Sequence, residues 1–167
     1  MLSEKQQAMV ELWEAHVRYE FEDHDVDSTL TTMTRYPHIL NIPTGAGGKG
    51  VEGVREFYAH SFLHSMPEDI TSILLSRTVS DHQIVDETIL KFTHSVDMPW
   101  ILPGVAPTHK KVELPLVVII AFKEGAIEHE HVYWDQGMVL AQLGLINPEK
   151  LPVEGVEVAR QLEASFQ

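Results

Sequence analysis

Ile127-Glu128-His129-Glu130-His131-Val132-Tyr133-Trp134-Asp135 alternates between two files of side chains, as an extended strand does. Period-two patterning also runs through residues 70–79, 84–94 and 111–122, so four strands follow one another in the C-terminal half. Ser80-Asp81-His82-Gln83 and Lys123-Glu124-Gly125 are short enough for hairpins, which makes the four an antiparallel meander. The link from Ser95 to His109, stiffened by Pro99, Pro103, Gly104 and Pro107, is long for a hairpin, and long ordered loops often cover something.

Upstream the period is helical. Ser3 and Gln6 form a capping-box pair ahead of Met9, Leu12, Trp13, His16, Val17 and Glu20, all on one stripe. Asp25-Val26-Asp27-Ser28 starts a short helix with Val26, Leu30 and Met33 inward, ending near Pro37. Residues 36–43 read as an edge strand, because proline cannot serve a central ladder. Gly45 to Gly50 reads as a flexible loop lacking the Walker and Rossmann fingerprints. Val51, Val54, Tyr58 and Phe62 mark a third helix that stops before Met66-Pro67. Beyond the last strand, Met138, Val139, Leu140 and Leu143 suggest a helix closed by Gly144, and residues 156–162 a terminal one. Helices first and antiparallel strands after them indicate an α+β domain with the helices on one face of the sheet.

The 167 residues suit one domain, and the absence of cysteine removes disulfides, thiolate metal sites and cysteine nucleophiles. Twenty-five acidic against twelve basic residues give a formal charge of −13, which repels nucleic acid. The polar start Met1-Leu2-Ser3-Glu4 carries no leader pattern and no stretch reaches membrane-spanning length, so no membrane partner and a cytoplasmic location are the expectation.

Leu102-Pro103-Gly104-Val105-Ala106-Pro107-Thr108, Glu130-His131-Val132-Tyr133-Trp134-Asp135-Gln136 and Gln142-Leu143-Gly144-Leu145 together resemble SnoaL-like members of the nuclear transport factor 2-like superfamily. The resemblance implies a cone-shaped curved antiparallel sheet wrapped around N-terminal helices; residues 1–147 are read as that domain and residues 148–167 as a helical extension beyond it. It also implies an enclosed pocket, a homodimer and relatives that include cyclases, isomerases, dehydratases, hydrolases and non-catalytic binding domains. By position, Asp135 matches the family's strand-end carboxylate.

Alternation places His129, His131, Tyr133 and Asp135 in one file. If that file lines the pocket, Asp135 is a general base or orients a histidine, His131 and His129 contact substrate, and Tyr133 donates a hydrogen bond. Asp135 also suits the N-cap of the following helix, a role compatible with the first, and the two histidines suit a solvated strand face. His94 ends the apolar file Ile84, Asp86, Thr88, Leu90, Phe92 and is read either as an acid–base partner or as a loop cap. His16 is a pocket contact or a satisfied core histidine, and Trp100 a pocket lid or a loop anchor.

The resulting expectation is a cofactor-independent acid–base enzyme of cyclase, isomerase, dehydratase or hydrolase type. It acts on a small, mostly apolar molecule, with Asp135 and His94 in the chemistry. The alternatives are a non-catalytic ligand-binding or interaction domain and a divalent-metal enzyme using His129, His131 and Asp135.

Overall fold

The computed structural model describes residues 1–166. Helix α1 (Glu4–Arg18) opens on the capping box, with Ser3 accepting from the Gln6 amide and the Gln6 side chain returning to the Ser3 amide. It runs directly into a π-helical turn, Tyr19–Asp23, which closes on His24 in the left-handed conformation. Asp25 caps α2 (Val26–Thr31) by accepting from the Asp27 and Ser28 amides. The chain then turns at once into β1 (Met33–Asn41), so Met33 begins a strand rather than ending a helix.

Six strands form one mixed, open sheet: β1, β2 (Gly47–Lys49), β3 (Thr71–Val79), β4 (Gln83–Thr93), β5 (Lys111–Lys123) and β6 (Ala126–Trp134), in spatial order β2-β1-β6-β5-β4-β3. The four-strand meander is antiparallel as expected, but β1 runs parallel to β6, so the sheet is not purely antiparallel. Nor is β1 an edge strand. It lies between β2 and β6, and Pro37 falls in the break of register between Met33 and His38, where the ladder needs no amide from it.

The glycine-rich loop is likewise ordered as β2, paired to residues 38–40. A Cβ on Gly47 would collide with the Ile39 carbonyl, and one on Gly48 with the carbonyl of Gly53 at the start of α3 (Gly50–Phe57). Glycine is there because backbone approaches backbone. Helix α3 continues into a second π-helical turn, Tyr58–Phe62.

The core lies between the concave face of the sheet and the helices. Ile84, Leu90 and Phe92 of β4 meet Val112, Leu114, Leu116 and Ile120 of β5, with Met9 and Trp13 of α1 and Val54, Phe57 and Tyr58 above them. The long link after β4 closes the cone: Met98, Trp100, Ile101 and Leu102 are all buried, and Trp100 packs edge-on against Phe62 and Trp134. At about 1.5–3 kcal/mol per buried large apolar side chain, those four hold the loop firmly. Thr44 and Gln136, donating to the Trp100 and Ile101 carbonyls, fix its path.

Helix α4 (Gln136–Gln142) follows β6, and α5 (Val156–Ala164) packs on the outer face of β5. Lys91 and Glu113, cross-strand partners on that face, pair with Glu163 and Arg160 of α5. Among the described residues no helix is long and apolar enough to cross a membrane.

Candidate active site

A cavity of about 250 Å³ occupies the concave side of the sheet. Apolar side chains dominate its wall: Trp13, Phe57, Phe62, Trp100, Leu90 and Leu116. Into this lining the fold sets two carboxylates, Glu20 and Glu130, both buried.

A single imidazole holds them. His16 is fully buried on α1, with Nε2 2.9 Å from Glu130 Oε1 and 3.2 Å from Glu20 Oε1. On its other side Nδ1 stands 2.6 Å from Thr32 Oγ1, whose own proton goes to the Thr29 carbonyl. The threonine oxygen therefore accepts, and Nδ1 carries a hydrogen. At Nε2 two carboxylate oxygens require a second hydrogen, so the pattern is that of an imidazolium. Tyr58, also fully buried, lies 3.0 Å from Nε2 through its hydroxyl and donates to Glu130 Oε1 at 3.5 Å.

Electrostatics agree with this hydrogen-bond pattern. Burial by itself pushes the His16 pKa down, but the charges of Glu130 and Glu20 outweigh it and bring the group up to about 10. Burial, reinforced by the charge of Glu130 and opposed by that of His16, raises Glu20 above the usual carboxylate range. Burial and the two carboxylates raise Tyr58 well above its ordinary value, so it remains a donor. One cation thus stands between two carboxylates, one of which keeps its proton to higher pH than a free glutamic acid.

A second polar group lines the same cavity. Asp86 on β4 accepts from Arg77 Nε and Nη2 at 2.7 and 2.8 Å and from Trp13 Nε1 at 2.8 Å, tying α1 to the sheet. Trp100 adds an unusual feature, since its indole nitrogen is buried without a hydrogen-bond partner among the described residues.

No protein-family model and no curated protein matches the sequence. Solved structures do match in shape. A candidate SnoaL-like polyketide cyclase from Jannaschia sp. CCS1 superposes with a TM-score of 0.70 over 88% of this chain and 99% of that one, at 18% identity. TsrD from Streptomyces laurentii gives 0.66 over 87% and 100%, at 15% identity. The epoxide hydrolase/cyclase-like enzyme SalBIII, which has a role in pyran ring formation in the polyether salinomycin, gives 0.57 over 80% and 95%, at 16% identity.

The chain has the SnoaL-like, nuclear transport factor 2-like fold.

Within this SnoaL-like cone the site residues expected from sequence divide sharply. Trp100 lines the cavity, and His16 stands directly behind the two wall carboxylates. The file His129, His131, Tyr133 and Asp135 instead lies on the outer face, while Glu130 and Val132 reach the cavity. The cause is a β-bulge. Ala121 pairs with His129 and Phe122 with Ile127, so Glu128 has no partner on β5, and Ile127 and Glu130 both turn inward. A strictly alternating reading joins Ile127 to the histidine file; the extra residue separates them.

Asp135 is exposed and caps α4, accepting from the Met138 amide at 3.1 Å. His94 is fully buried, yet it is not among the residues that line the cavity. Its Nδ1 accepts from the Thr108 amide, which pins the long loop, and burial lowers its pKa, so it is a neutral loop cap. The metal set of two histidines and Asp135 does not assemble, because four residues of strand separate His131 from Asp135 by about 13 Å. Among the described residues, two groups do bring three ligating atoms within 4.8 Å of one another: His16 with Glu20 and Glu130, and His129 and His131 with His38. In the first, hydrogens alone complete the bonding described above.

Sequence reasoning passed over Glu20, Glu130, Tyr58, Asp86 and Arg77. The signal for Glu20 was present, since it lies one turn from His16 on the inward stripe of α1. Asp86 is the one carboxylate in the largely apolar file Ile84, Asp86, Thr88, Leu90, Phe92.

Proposed function

We propose that the protein is an acid–base enzyme of the cyclase, isomerase, dehydratase or hydrolase kind, working without an organic cofactor on a small, mostly apolar molecule bearing a carbonyl or hydroxyl. The observation that carries this reading is the pair of buried carboxylates on an apolar cavity wall, held by one buried histidine. A carboxyl group whose pKa is lifted by burial holds its proton to higher pH than a free carboxyl group does, which suits general acid–base chemistry.

Glu20 is the proton carrier in this scheme. It takes a proton from the carbon next to a substrate carbonyl, the electron pair moving toward the carbonyl oxygen, and returns the proton at the same or a neighbouring atom. His16 and Glu130 are positioning groups: the imidazolium offsets the charge that appears when Glu20 ionises, and Tyr58 holds Glu130 in place. The unpartnered indole N–H of Trp100 suits the carbonyl oxygen, and the Asp86–Arg77 pair suits a hydroxyl at the far end. The modest cavity, below the roughly 300–1,000 Å³ usual for drug-sized ligands, favours a small substrate. The cyclase and hydrolase descriptions of proteins sharing the fold are compatible with this chemistry.

The test is proton exchange in heavy water, followed by NMR over a panel of small cyclic ketones, enones and hydroxyketones. Wild-type protein is expected to speed α-proton exchange of at least one compound, and Glu20→Gln to lose about 10²- to 10⁴-fold while keeping its melting temperature. Equal exchange by Glu20→Gln removes Glu20 from the chemistry. Tight binding with no exchange by wild type makes the cavity a binding site only.

A further inference from the structure

We propose that His38, His129 and His131 form a divalent transition-metal site on the outer face of the sheet, on the opposite side from the cavity. The placement comes from strand pairing. β1 and β6 run parallel with His38 beside His129 and Leu40 beside His131, and His129 and His131 share a face because they are two residues apart. Three imidazoles from two hydrogen-bonded strands therefore converge, and a sheet is a stiff platform for them.

The rings crowd together. Ring centroids lie 4.3 Å apart for His129 and His131, 4.8 Å for His38 and His131 and 5.1 Å for His38 and His129. Nε2 of His131 is 2.7 Å from Nε2 of His38, and one ligating nitrogen from each ring lies within 4.8 Å of the other two. Two facing ring nitrogens share one hydrogen at most, and a third nearby is left to water. A metal ion replaces that single hydrogen with a bond to all three.

The donor chemistry fits. Three neutral imidazoles with no thiolate suit Zn²⁺, Co²⁺, Ni²⁺ or Cu²⁺ rather than Mg²⁺ or Ca²⁺. A tetrahedral zinc with bonds of about 2.0–2.1 Å sets its ligand nitrogens about 3.3 Å apart, so the His38–His131 pair has only to open by roughly half an ångström. All three side chains are partly exposed, so water has access to the remaining coordination position. A net charge of −13 also draws cations toward the protein.

The experiment uses untagged, chelator-treated full-length protein titrated with ZnCl₂ by calorimetry and with CoCl₂ by visible absorption. Wild type is expected to take one Zn²⁺ per chain and to give d–d bands with Co²⁺. His38→Ala and His131→Ala are each expected to weaken Zn²⁺ by more than about tenfold, since even loss of an outer-shell partner costs about 10- to 100-fold. His60→Ala, at an exposed histidine, and Glu20→Gln, in the cavity, are expected to bind as wild type does. No stoichiometric Zn²⁺ in wild type, or full binding in His38→Ala, overturns the proposal. So does loss of binding in Glu20→Gln, which moves the ion to the His16 cluster. Because these readouts involve no turnover, they stand or fall apart from the acid–base reading.

Discussion

His16 and Glu20 are spaced one helical turn apart, but the turn that carries Glu20 is π-helical, and Tyr58 begins the second such turn. π-helical turns are uncommon and recur at functional sites. Both here bring a polar group against Glu130. The spacing of His16 and Glu20 is legible in sequence; the local widening of the helix is not, because it depends on what the other elements press against it. The buried cation also fixes a pH dependence. His16 rises from 6.5 in the unfolded chain to about 10 when folded, so the stability it lends is fully present below about pH 6.5 and is lost as pH climbs through 10. Glu20, raised from 4.5, acts in the same sense, since the folded state again holds its proton longer. With about 2–4 °C of melting temperature per kcal/mol for a chain of this size, wild type is expected to melt at least about 5 °C lower at pH 10 than at pH 7. Replacing His16 by Gln is expected to flatten that slope, and an unchanged slope would remove His16 from the linkage.

At the scale of elements, the order of helices and strands was readable because each period persists over a whole segment. The capping box of α1, the meander β3 to β6 and the Gly144 stop after α4 all follow from short-range rules. What escaped were the places where one residue changes the rule. Glu128 is one, since a single unpaired residue reverses the faces of β6. Pro37 is another, tolerated in an interior strand because the ladder is already broken there. β2 is the third: three residues of Gly and Lys have no strand propensity, and only the close approach of Gly48 to Gly53 explains them. Gly48→Ala is accordingly expected to cost about 1–3 kcal/mol in chemical unfolding, because backbone and not a flexible side chain must move. A neutral result would mean that β2 and the start of α3 part without loss.

For the molecule as a whole, the two faces of the sheet carry different chemistry. The concave face holds the cavity and its proton-sharing cluster; the outer face holds α5, the three histidines and the exposed rings of Tyr36 and Tyr133. The homodimer that the family resemblance implies is proposed to close over the Tyr133 end of this outer face, leaving the three histidines open to water. Light scattering is expected to give twice the 18.9 kDa chain mass, and Tyr133→Asp to shift it toward the monomer. A monomer at every concentration would leave the outer face without that role. Everything proposed for the cavity rests on one protonation state, and it can be read without a substrate. Nitrogen-15 NMR of the His16 ring across pH 6 to 10 is expected to show hydrogens on both Nδ1 and Nε2 well above pH 7, with titration near 10. A neutral ring at pH 7, bearing a single hydrogen, would contradict the account of a cation holding two buried carboxylates.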